Sequence, residues 1–407
     1  MNASPSIQYD VDQPIRADRE ELLSRAMAMF PALRERALTT EQNRRLSDET
    51  VQQLTSLDLL RVGRPDHFGG YGQPDIDYDF AFEITAELAR ACPSTGWVYA
   101  VWAAHDWIVS IVFSDAAQEE YFSDPHVRCA SSFGNVKSGT LEPVEGGFRL
   151  KGKFAFSSGC DHSQWNLLGA TAPDGPKFVL LPRKDWTIVD DSWHVSGLRG
   201  TGSKDIIVDD VFVPAHLVCP YGIHHSTAWA RHKRPSTHAK AFPALGYYIF
   251  LSVAVGAAHG MLDEFVRQCS AGGMLERKAA SPHIQLRLGT AASLIADVRR
   301  TMRERCASVI EKSNAGTLND YEAALQGSEA SRIANHCRKV ATSLFEVSGG
   351  HALFESNPLQ RHFRDVFAAT LRYDYDQLGD ALGRQLLGVA APTAGHQLRT
   401  PEGLRTA

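Results

Sequence analysis

The residue types in this sequence that could carry out catalysis are a histidine in an apolar segment and a pair of serines before a glycine. His105 lies in the segment AVWAAHDWIV, and a histidine side chain titrates close to neutral pH, so it could accept a proton during a reaction. The alternative is a buried structural histidine that is hydrogen-bonded to Asp106. Ser157 and Ser158 precede Gly159, where they either form a turn or offer hydroxyl groups that both donate and accept hydrogen bonds.

Several well-known catalytic and binding motifs are missing from the sequence. It has no phosphate-binding loop, no G-x-G-x-x-G between a strand and a helix, no H-E-x-x-H, no G-x-S-x-G and no protein-kinase motifs. The segment LRGTGSKD (198–205) has the glycines but lies between predicted strands. Four histidines lie in residues 220–240, yet this segment has no carboxylate, so we interpret it as a surface loop or an active-site lid. No metal site is predicted.

The composition is typical of a soluble globular protein. The chain has 407 residues and a formal net charge of −5 without a basic stripe, which argues against nucleic-acid binding. Its seven cysteines are scattered and form no C-x-x-C pair, a pattern that fits a reducing cytoplasm rather than a disulfide framework. The N-terminus lacks the apolar core of a secretory signal. Residues 244–262 are apolar over about the length of a membrane span, but they include tyrosine, serine and histidine, so we predict a buried helix and no membrane association.

Three zones of different hydrophobic periodicity follow one another along the chain. Residues 1–123 show the helical spacing of apolar residues, with a break that Pro93 would enforce. Residues 124–220 instead alternate apolar and polar residues, as in GGFRLKGKFAF, and predict an antiparallel β-domain. A linker loop at 221–238 leads to long helical segments in 239–407 that suit a four-helix bundle. The predicted fold class is therefore α+β and mostly α, with the β-domain between two helical domains.

Four strings of residues then point to a known family. They are ACPSTGW (91–97), FSSGCDH (156–162), GLRGTGS (197–203) with VFVP (211–214), and SGGHALFESNPLQRHFRD (348–365). Together they closely resemble the acyl-CoA dehydrogenase fold. More narrowly, they resemble its flavin-dependent monooxygenase branch, the oxygenase components of two-component systems that include p-hydroxyphenylacetate hydroxylase. The resemblance extends over residues 15–392.

The resemblance implies that a flavin lies between the β-domain and the bundle. Trp97 and the segment 131–133 would flank its isoalloxazine ring, and either Ser157 or Ser158 would offer a hydroxyl group to the flavin N5. The glycines after Ser348 would let the backbone approach the cofactor because they have no Cβ, and the same glycines also suit a helix C-cap. The implied cofactor-binding residues are Trp97, Ser132, Phe133, Ser157, Ser158, Ser348, Gly349 and Gly350.

The resemblance also implies the catalytic residues, which are His105, Ser131 and Ser158. In the aromatic hydroxylases of this branch, a histidine at the position of His105 contacts the substrate phenol, and a serine at Ser131 or Ser132 assists it. Removal of the phenol proton makes the ring carbon more nucleophilic. These hydroxylases often carry another histidine near residue 373. Arg372, Tyr373 or His351 would replace it here, or residues 372–374 are solvated helix-face residues.

The implied activity is that of a monooxygenase. Reduced FMN or FAD would come from a separate flavin reductase, because the sequence has no nicotinamide-binding fingerprint. Oxygen would form a C4a-hydroperoxyflavin, which would hydroxylate a small aromatic or polycyclic substrate, in a homotetramer or dimer located in the cytoplasm. The alternatives are an acyl-CoA dehydrogenase or oxidase, an N-oxygenase acting on an amine, and a homologue without catalytic activity. Tyr373 stands where acyl-CoA dehydrogenases carry the catalytic glutamate, which argues against the first alternative.

Overall fold

The computed structural model describes residues 19–71, 78–221, 242–270, 279–371 and 375–389. Its N-terminal part is helical. Pro93 opens the longest of these helices, a position where proline is tolerated because the first N–H groups of a helix have no intrahelical acceptor. The Ser47 hydroxyl caps the third helix by accepting the N–H of Thr50 at 3.2 Å. The helices are α1 (Arg19–Ala28), α2 (Phe30–Asn43), α3 (Asp48–Ser56), α4 (Tyr78–Ala91), α5 (Pro93–Val112) and α6 (Asp115–Tyr121).

A single sheet of eight strands forms the middle of the described chain. The strands are β1 (Cys129–Ser132), β2 (Gly139–Val144), β3 (Gly147–Ser157), β4 (Trp165–Ala172), β5 (Gly175–Pro182), β6 (Thr187–Val189), β7 (Lys204–Pro214) and β8 (Val218–Pro220). They lie in the order β6-β7-β3-β2-β4-β5-β8, and β1 pairs with β4. The sheet is mainly antiparallel, as predicted. However, β1 and β2 each run parallel to β4, and the long connection through β3 allows this arrangement.

Strand β3 is irregular just before the predicted serine pair. Its pairing with β7 shifts register between Phe154 and Ser157, and Phe156 between them has a φ of 64°. A left-handed conformation is costly for a residue with a bulky side chain and indicates local strain. The Phe156 carbonyl accepts the N–H of Ser158 at 2.9 Å. A bulge of this kind changes the direction of the side chains that follow it, and here it sets the orientation of the two serines.

Helices return after the sheet. They are α7 (Phe242–Ser270), α8 (Pro282–Asn314), α9 (Asp320–Ser348), α10 (Pro358–Thr370) and α11 (Tyr375–Leu387). Helix α7 contains the apolar segment 244–262 and packs against α4, α9 and α10. Residues 245–270 are long and apolar enough to cross a membrane, but 72% of the most apolar part is buried inside the protein. That placement is typical of the central helix of a bundle.

The predicted order of a helical part, a β-domain and a helical bundle is confirmed, and two helices instead of one follow residue 357. The exact domain borders at 123 and 220 stay predictions. The predicted linker at 221–238 lies outside the described residues apart from Tyr221. All seven cysteines lie in the described residues, and their thiols are free and buried.

Candidate active site

The two serines of the FSSG segment differ in their surroundings. Ser157 is 0% exposed, and its hydroxyl oxygen accepts the side-chain N–H of Asn166 at 2.7 Å, inside the sheet. Ser158, beyond the end of β3, is 7% exposed, and its Oγ accepts the indole N–H of Trp97 at 3.1 Å. Ser158 is therefore the serine of the pair that lies closer to the molecular surface and contacts a predicted cofactor-binding residue.

A chain of hydroxyl groups continues from Ser158 into the protein. Its Oγ lies 2.6 Å from the Oγ of Ser203, which in turn lies 2.7 Å from the Oγ1 of Thr201. The Thr201 hydroxyl donates to the carbonyl of Leu198 at 2.9 Å. The sequence analysis did not identify Thr201 and Ser203 as site residues, although both belong to the GLRGTGS string. The string itself was recognised in the sequence. However, the hydrogen bond between Ser203 and Ser158 joins residues that are 45 positions apart, so it depends on the fold.

The shape of the loop of residues 198–203 depends on two residues with a left-handed backbone conformation. Leu198 has a φ of 53° and Gly202 a φ of 54°. A Cβ at Gly202 would lie 2.7 Å from the Oδ2 of Asp161 and 3.0 Å from the backbone oxygen of Arg44, so glycine suits this position in space as well as in conformation. From the bundle, Asp365 of α10 accepts the backbone N–H of Leu198 at 2.6 Å. The loop is thus fixed by contacts on both sides.

His105 is buried on α5, where it is 4% exposed. Its Nδ1 lies 2.6 Å from the carbonyl oxygen of Cys129 in β1. Because a carbonyl only accepts, this contact places a proton on Nδ1, and in the neutral ring Nε2 then carries the lone pair. The imidazole also makes an edge-to-face contact with Phe133, with ring centroids 6.1 Å apart. This tautomer can accept a proton at Nε2.

Asp106, the predicted alternative partner of His105, is engaged by other side chains. Its carboxylate accepts from Arg64 Nε at 3.2 Å and from the hydroxyl of Tyr121 at 2.7 Å. Burial raises the pKa of Asp106 above its usual value, although Arg64 and Tyr121 act in the opposite direction. The three side chains form a buried polar cluster behind α5 that links this helix to α6 and to the segment before α4.

The serines of β1 point in different directions because side chains alternate along a strand. The Ser132 hydroxyl donates to the carbonyl of Ala155 in β3 at 2.5 Å, so its proton is used inside the sheet. Ser131, which is half-buried, lies two residues after Cys129, whose carbonyl binds His105.

Helix α5 carries both halves of the candidate site. Trp97 contacts Ser158 near the start of the helix, and His105 contacts Cys129 eight residues later. At 1.5 Å per residue, the two side chains are separated by about 12 Å along the helix axis. The Trp97 ring also packs against Phe250 of α7, with centroids 4.3 Å apart. The helix therefore holds one predicted site residue against the segment after β3 and the other against β1.

The glycine turn after α9 has the geometry of a helix end. Gly349 has a φ of 79° and ends the helix, and the Ser348 hydroxyl donates to the carbonyl of Leu344 at 2.7 Å. An added Cβ at Gly350 would meet no atom within 4 Å, so this turn is open on that side. The structure does not bring these three residues into contact with Ser158. Downstream, Glu355 lies 3.9 Å from Arg199 of the 198–203 loop.

The aromatic hydroxylases often carry another histidine near residue 373, and only one of the residues that could replace it here is described by the structure. Arg372 and Tyr373 lie outside the described residues. His351 is exposed on the turn after Gly350, and its ring lies 5.7 Å from that of Phe354. Among the described residues, no group of three or more histidine, cysteine, aspartate or glutamate side chains could hold a metal ion.

Comparison with known proteins assigns a family to this arrangement. A model of the acyl-CoA dehydrogenase C-terminal domain matches residues 248–373. The chain is 33% identical over 368 residues to the flavin-dependent monooxygenase oxygenase subunit HsaA of Rhodococcus jostii (strain RHA1), covering 85% of this chain and 92% of the relative. It is 31% identical over 395 residues to the FADH(2)-dependent resorcinol hydroxylase, oxygenase component, of Rhizobium sp. (strain MTP-10005), covering 90% of this chain and 94% of that relative. The crystal structure of 3-HSA hydroxylase from Rhodococcus sp. RHA1 has a TM-score of 0.83 at 31% identity and covers 91% of this chain and 98% of that chain.

The chain therefore belongs to the oxygenase components of two-component flavin-dependent monooxygenases, within the acyl-CoA dehydrogenase fold. The resemblance, the fold class, the enzyme class and the dependence on reduced flavin that were predicted from the sequence are confirmed. The predicted roles of individual site residues stay predictions.

The residues around Ser158 fit the isoalloxazine end of a flavin. The Ser158 oxygen keeps a lone pair beyond its bond with Trp97. Phe156 is 64% exposed and makes an edge-to-face contact with Trp193, with centroids 5.7 Å apart. The exposed Phe156 ring, two residues before Ser158 in sequence, provides apolar surface of the kind that a planar ring system packs against. Among the described residues, Asn166 behind Ser157 also keeps a buried Oδ1 without a hydrogen-bond partner.

Proposed function

We propose that this chain takes reduced FMN or FAD from a separate flavin reductase and uses O2 to hydroxylate a small aromatic substrate. The single observation that carries the proposal is the arrangement along α5, where one helix holds Trp97 against Ser158 and His105 against Cys129. One end offers a hydroxyl group to a flavin, and the other offers an imidazole to a substrate. The named aromatic hydroxylase among the relatives supports an aromatic substrate.

The cofactor would lie against Trp97, Ser158 and the exposed Phe156, with Ser132, Phe133 and Ser157 supporting this surface. When bound, the reduced flavin supplies the electrons that activate oxygen. The protein's own contribution is to hold the ring and to exclude water. Ser158 contacts the flavin at N5, because it is the more accessible of the two serines, and Ser157 stabilises the end of β3 through Asn166. The turn of Ser348, Gly349 and Gly350 offers open backbone for a further cofactor contact.

His105 would act on the substrate. Its Nδ1 proton is directed to the Cys129 carbonyl, so the lone pair of Nε2 accepts the proton of a substrate phenol, with Ser131 as an assisting hydrogen-bond partner. Transfer of that proton raises the electron density of the aromatic ring and favours attack on activated oxygen. The burial of His105 keeps water from competing for the imidazole.

The assembly and location follow from the same proposal. Apolar side chains are exposed on the bundle and after the glycine turn, a pattern that favours packing of one bundle against another in a homotetramer or dimer. They are Leu353, Phe354, Leu371, Leu386 and Leu387. We propose a soluble cytoplasmic enzyme, since the thiols are all free and α7 is buried inside the bundle.

The experiment begins with anaerobic titration of the purified chain with oxidised and photoreduced FMN and FAD. Oxygen and a panel of phenols are then added with a flavin reductase and NADH. We expect tighter binding of reduced flavin, delayed return of the oxidised-flavin absorbance compared with free reduced flavin, and a hydroxylated product. Ser158→Ala should weaken the binding of reduced flavin, and Ser157→Ala should mainly reduce stability.

Three results would contradict the proposed function. A chain that binds neither redox form of flavin would be a homologue without catalytic activity. A chain that holds oxidised FAD and bleaches when acyl-CoA is added would be a dehydrogenase. Oxidation of an amine at nitrogen, with no reaction on any phenol, would place the chain among N-oxygenases.

A further inference from the structure

The hydroxyl groups behind Ser158 can be arranged in only one hydrogen-bonding direction. A hydroxyl group has one proton, and a carbonyl only accepts. The Thr201 hydroxyl therefore donates its proton to the carbonyl of Leu198 at 2.9 Å. Ser203, 2.7 Å away, must then donate to Thr201. Ser158, 2.6 Å from Ser203, must in turn donate to Ser203.

This direction determines what Ser158 can offer to a ligand. Its proton points inward to Ser203, and one of its lone pairs accepts the indole N–H of Trp97 at 3.1 Å. The remaining lone pair can only accept. Thr201 is 1% and Ser203 3% exposed, so water does not compete for the inner hydroxyl groups. Towards a ligand, Ser158 is thus a hydrogen-bond acceptor and not a donor.

The start of this chain of hydroxyl groups is fixed by the fold. The carbonyl of Leu198 belongs to a residue in the left-handed conformation, whose own N–H donates to Asp365 at 2.6 Å. Gly202, also left-handed, lies between Thr201 and Ser203 and lets both hydroxyl groups meet. Reversal of the direction would remove the hydrogen bond from the Thr201 hydroxyl to the buried Leu198 carbonyl, which would keep only the longer bond from the backbone N–H of Thr201 at 3.2 Å.

We propose that Thr201 and Ser203 are positioning residues that make Ser158 select reduced over oxidised flavin. The inference rests on the proposed function, in which Ser158 contacts the flavin at N5. Reduced flavin carries a hydrogen at N5 and donates it to the Ser158 lone pair. Oxidised flavin has only a lone pair at N5, so two acceptors would face each other. An unsatisfied buried polar group of this kind weakens binding by roughly tenfold.

The test measures the affinities of the purified full chain for oxidised and for photoreduced flavin, under anaerobic conditions, together with the reduction potential of the bound flavin. We expect Ser203→Ala to free the Ser158 proton, so that it can turn towards the N5 of oxidised flavin. The ratio of the two dissociation constants, oxidised over reduced, should fall by roughly three- to tenfold, and the potential of bound flavin should fall with it. Thr201→Val should act in the same direction, and Thr201→Ser, which keeps the hydroxyl group, should preserve the ratio.

The matched control is Ser252→Ala, because Ser252 is also fully buried but donates within α7 to the carbonyl of Ile249. It should leave the ratio unchanged. An unchanged ratio in both Ser203→Ala and Thr201→Val would overturn the inference while the proposed function stands, as would a wild-type chain that binds both redox forms equally. If Ser203→Ala does not fold, the contrast between Thr201→Val and Thr201→Ser decides. A wild-type chain with no flavin affinity would instead overturn the proposed function itself.

Discussion

Asp365 in α10 accepts the backbone N–H of Leu198 at 2.6 Å, across 167 residues of sequence. The bond joins the helical bundle to the loop that carries Thr201 and Ser203. Asp365 is buried, and this burial raises the pKa of its carboxyl group to about 7, although the Leu198 N–H and Arg364 favour the charged form. The contact between bundle and loop therefore involves a group that titrates close to neutral pH.

This contact predicts a pH dependence of stability. The pKa of Asp365 in the folded chain, about 7, lies above the ordinary aspartate value of 3.8, so between these two pH values the folded chain holds a proton that the unfolded chain has lost. The free energy of unfolding should therefore fall as the pH rises towards 7 and then level off. Asp365→Asn keeps an oxygen acceptor for Leu198 and has no proton to lose. Urea unfolding from about pH 5 to about pH 8 should show a flatter slope for this variant.

Asp210→Asn is a suitable control for that measurement. Hydrogen bonding to Arg149 lowers the pKa of Asp210, so the stability that this group contributes is lost only as the pH falls below the usual titration range of an aspartate. Its replacement should leave the slope near neutral pH unchanged. The same slope in wild type and Asp365→Asn would show that Asp365 is not the titrating group.

A second prediction concerns His105. His105→Gln should leave the affinity for reduced flavin unchanged, because the side chain contacts β1 rather than Ser158. Hydroxylation should slow by about a hundredfold, within the usual contribution of a general base. The loss should be smaller for phenols of lower pKa, which ionise without help. Product formation by chromatography across a series of phenols measures both effects.

His216→Ala provides the matched control for His105, since this partly exposed histidine pairs with Glu120 away from α5. It should not change turnover. Equal losses for acidic and weakly acidic phenols in His105→Gln would contradict a proton-accepting role and indicate a purely structural one.

Much of the fold could be predicted because local patterns of apolar, polar and turn-forming residues indicate it. Alternation in GGFRLKGKFAF gives β3, and the turn at Pro173-Asp174 gives the hairpin of β4 and β5. In contrast, β1 and β8 have four and three residues, too few for an alternating pattern to be recognised. The parallel pairing of β1 with β4 depends on the whole topology of the sheet.

The site was harder to predict, because its important contacts are distant in sequence. The serine pair was found, but the choice between Ser157 and Ser158 depends on the bulge at Phe156, and a shift of one residue exchanges the two faces of a strand. The direction of the Ser158 hydroxyl depends on the backbone conformation of Leu198 and Gly202. Neither feature has a signature in composition or periodicity.

A third prediction tests the shape of the 198–203 loop. Gly202→Ala combines a left-handed φ of 54° with a Cβ that would lie 2.7 Å from the Oδ2 of Asp161. We expect a loss of about 2 kcal/mol in the free energy of unfolding, within the range for strained backbone positions. Gly289→Ala is the control, since nothing lies within 4 Å of its Cβ in α8 and alanine there should stabilise the helix by about 1 kcal/mol. Equal effects of the two substitutions on urea unfolding would contradict the strain argument.

A fourth prediction concerns the buried cluster behind α5. Arg64→Met would leave the Asp106 carboxylate with Tyr121 as its remaining partner, and would also remove the donor to the Pro125 carbonyl at 2.6 Å. Breaking a buried ion pair on one side costs about 3–5 kcal/mol. Adding Asp106→Asn removes the unpaired charge but keeps an oxygen that accepts the Tyr121 proton. The double variant should therefore be more stable than Arg64→Met alone, as measured by urea unfolding. If the two substitutions instead destabilise additively, the pair does not act as a unit, and α5 depends on its apolar contacts with the sheet.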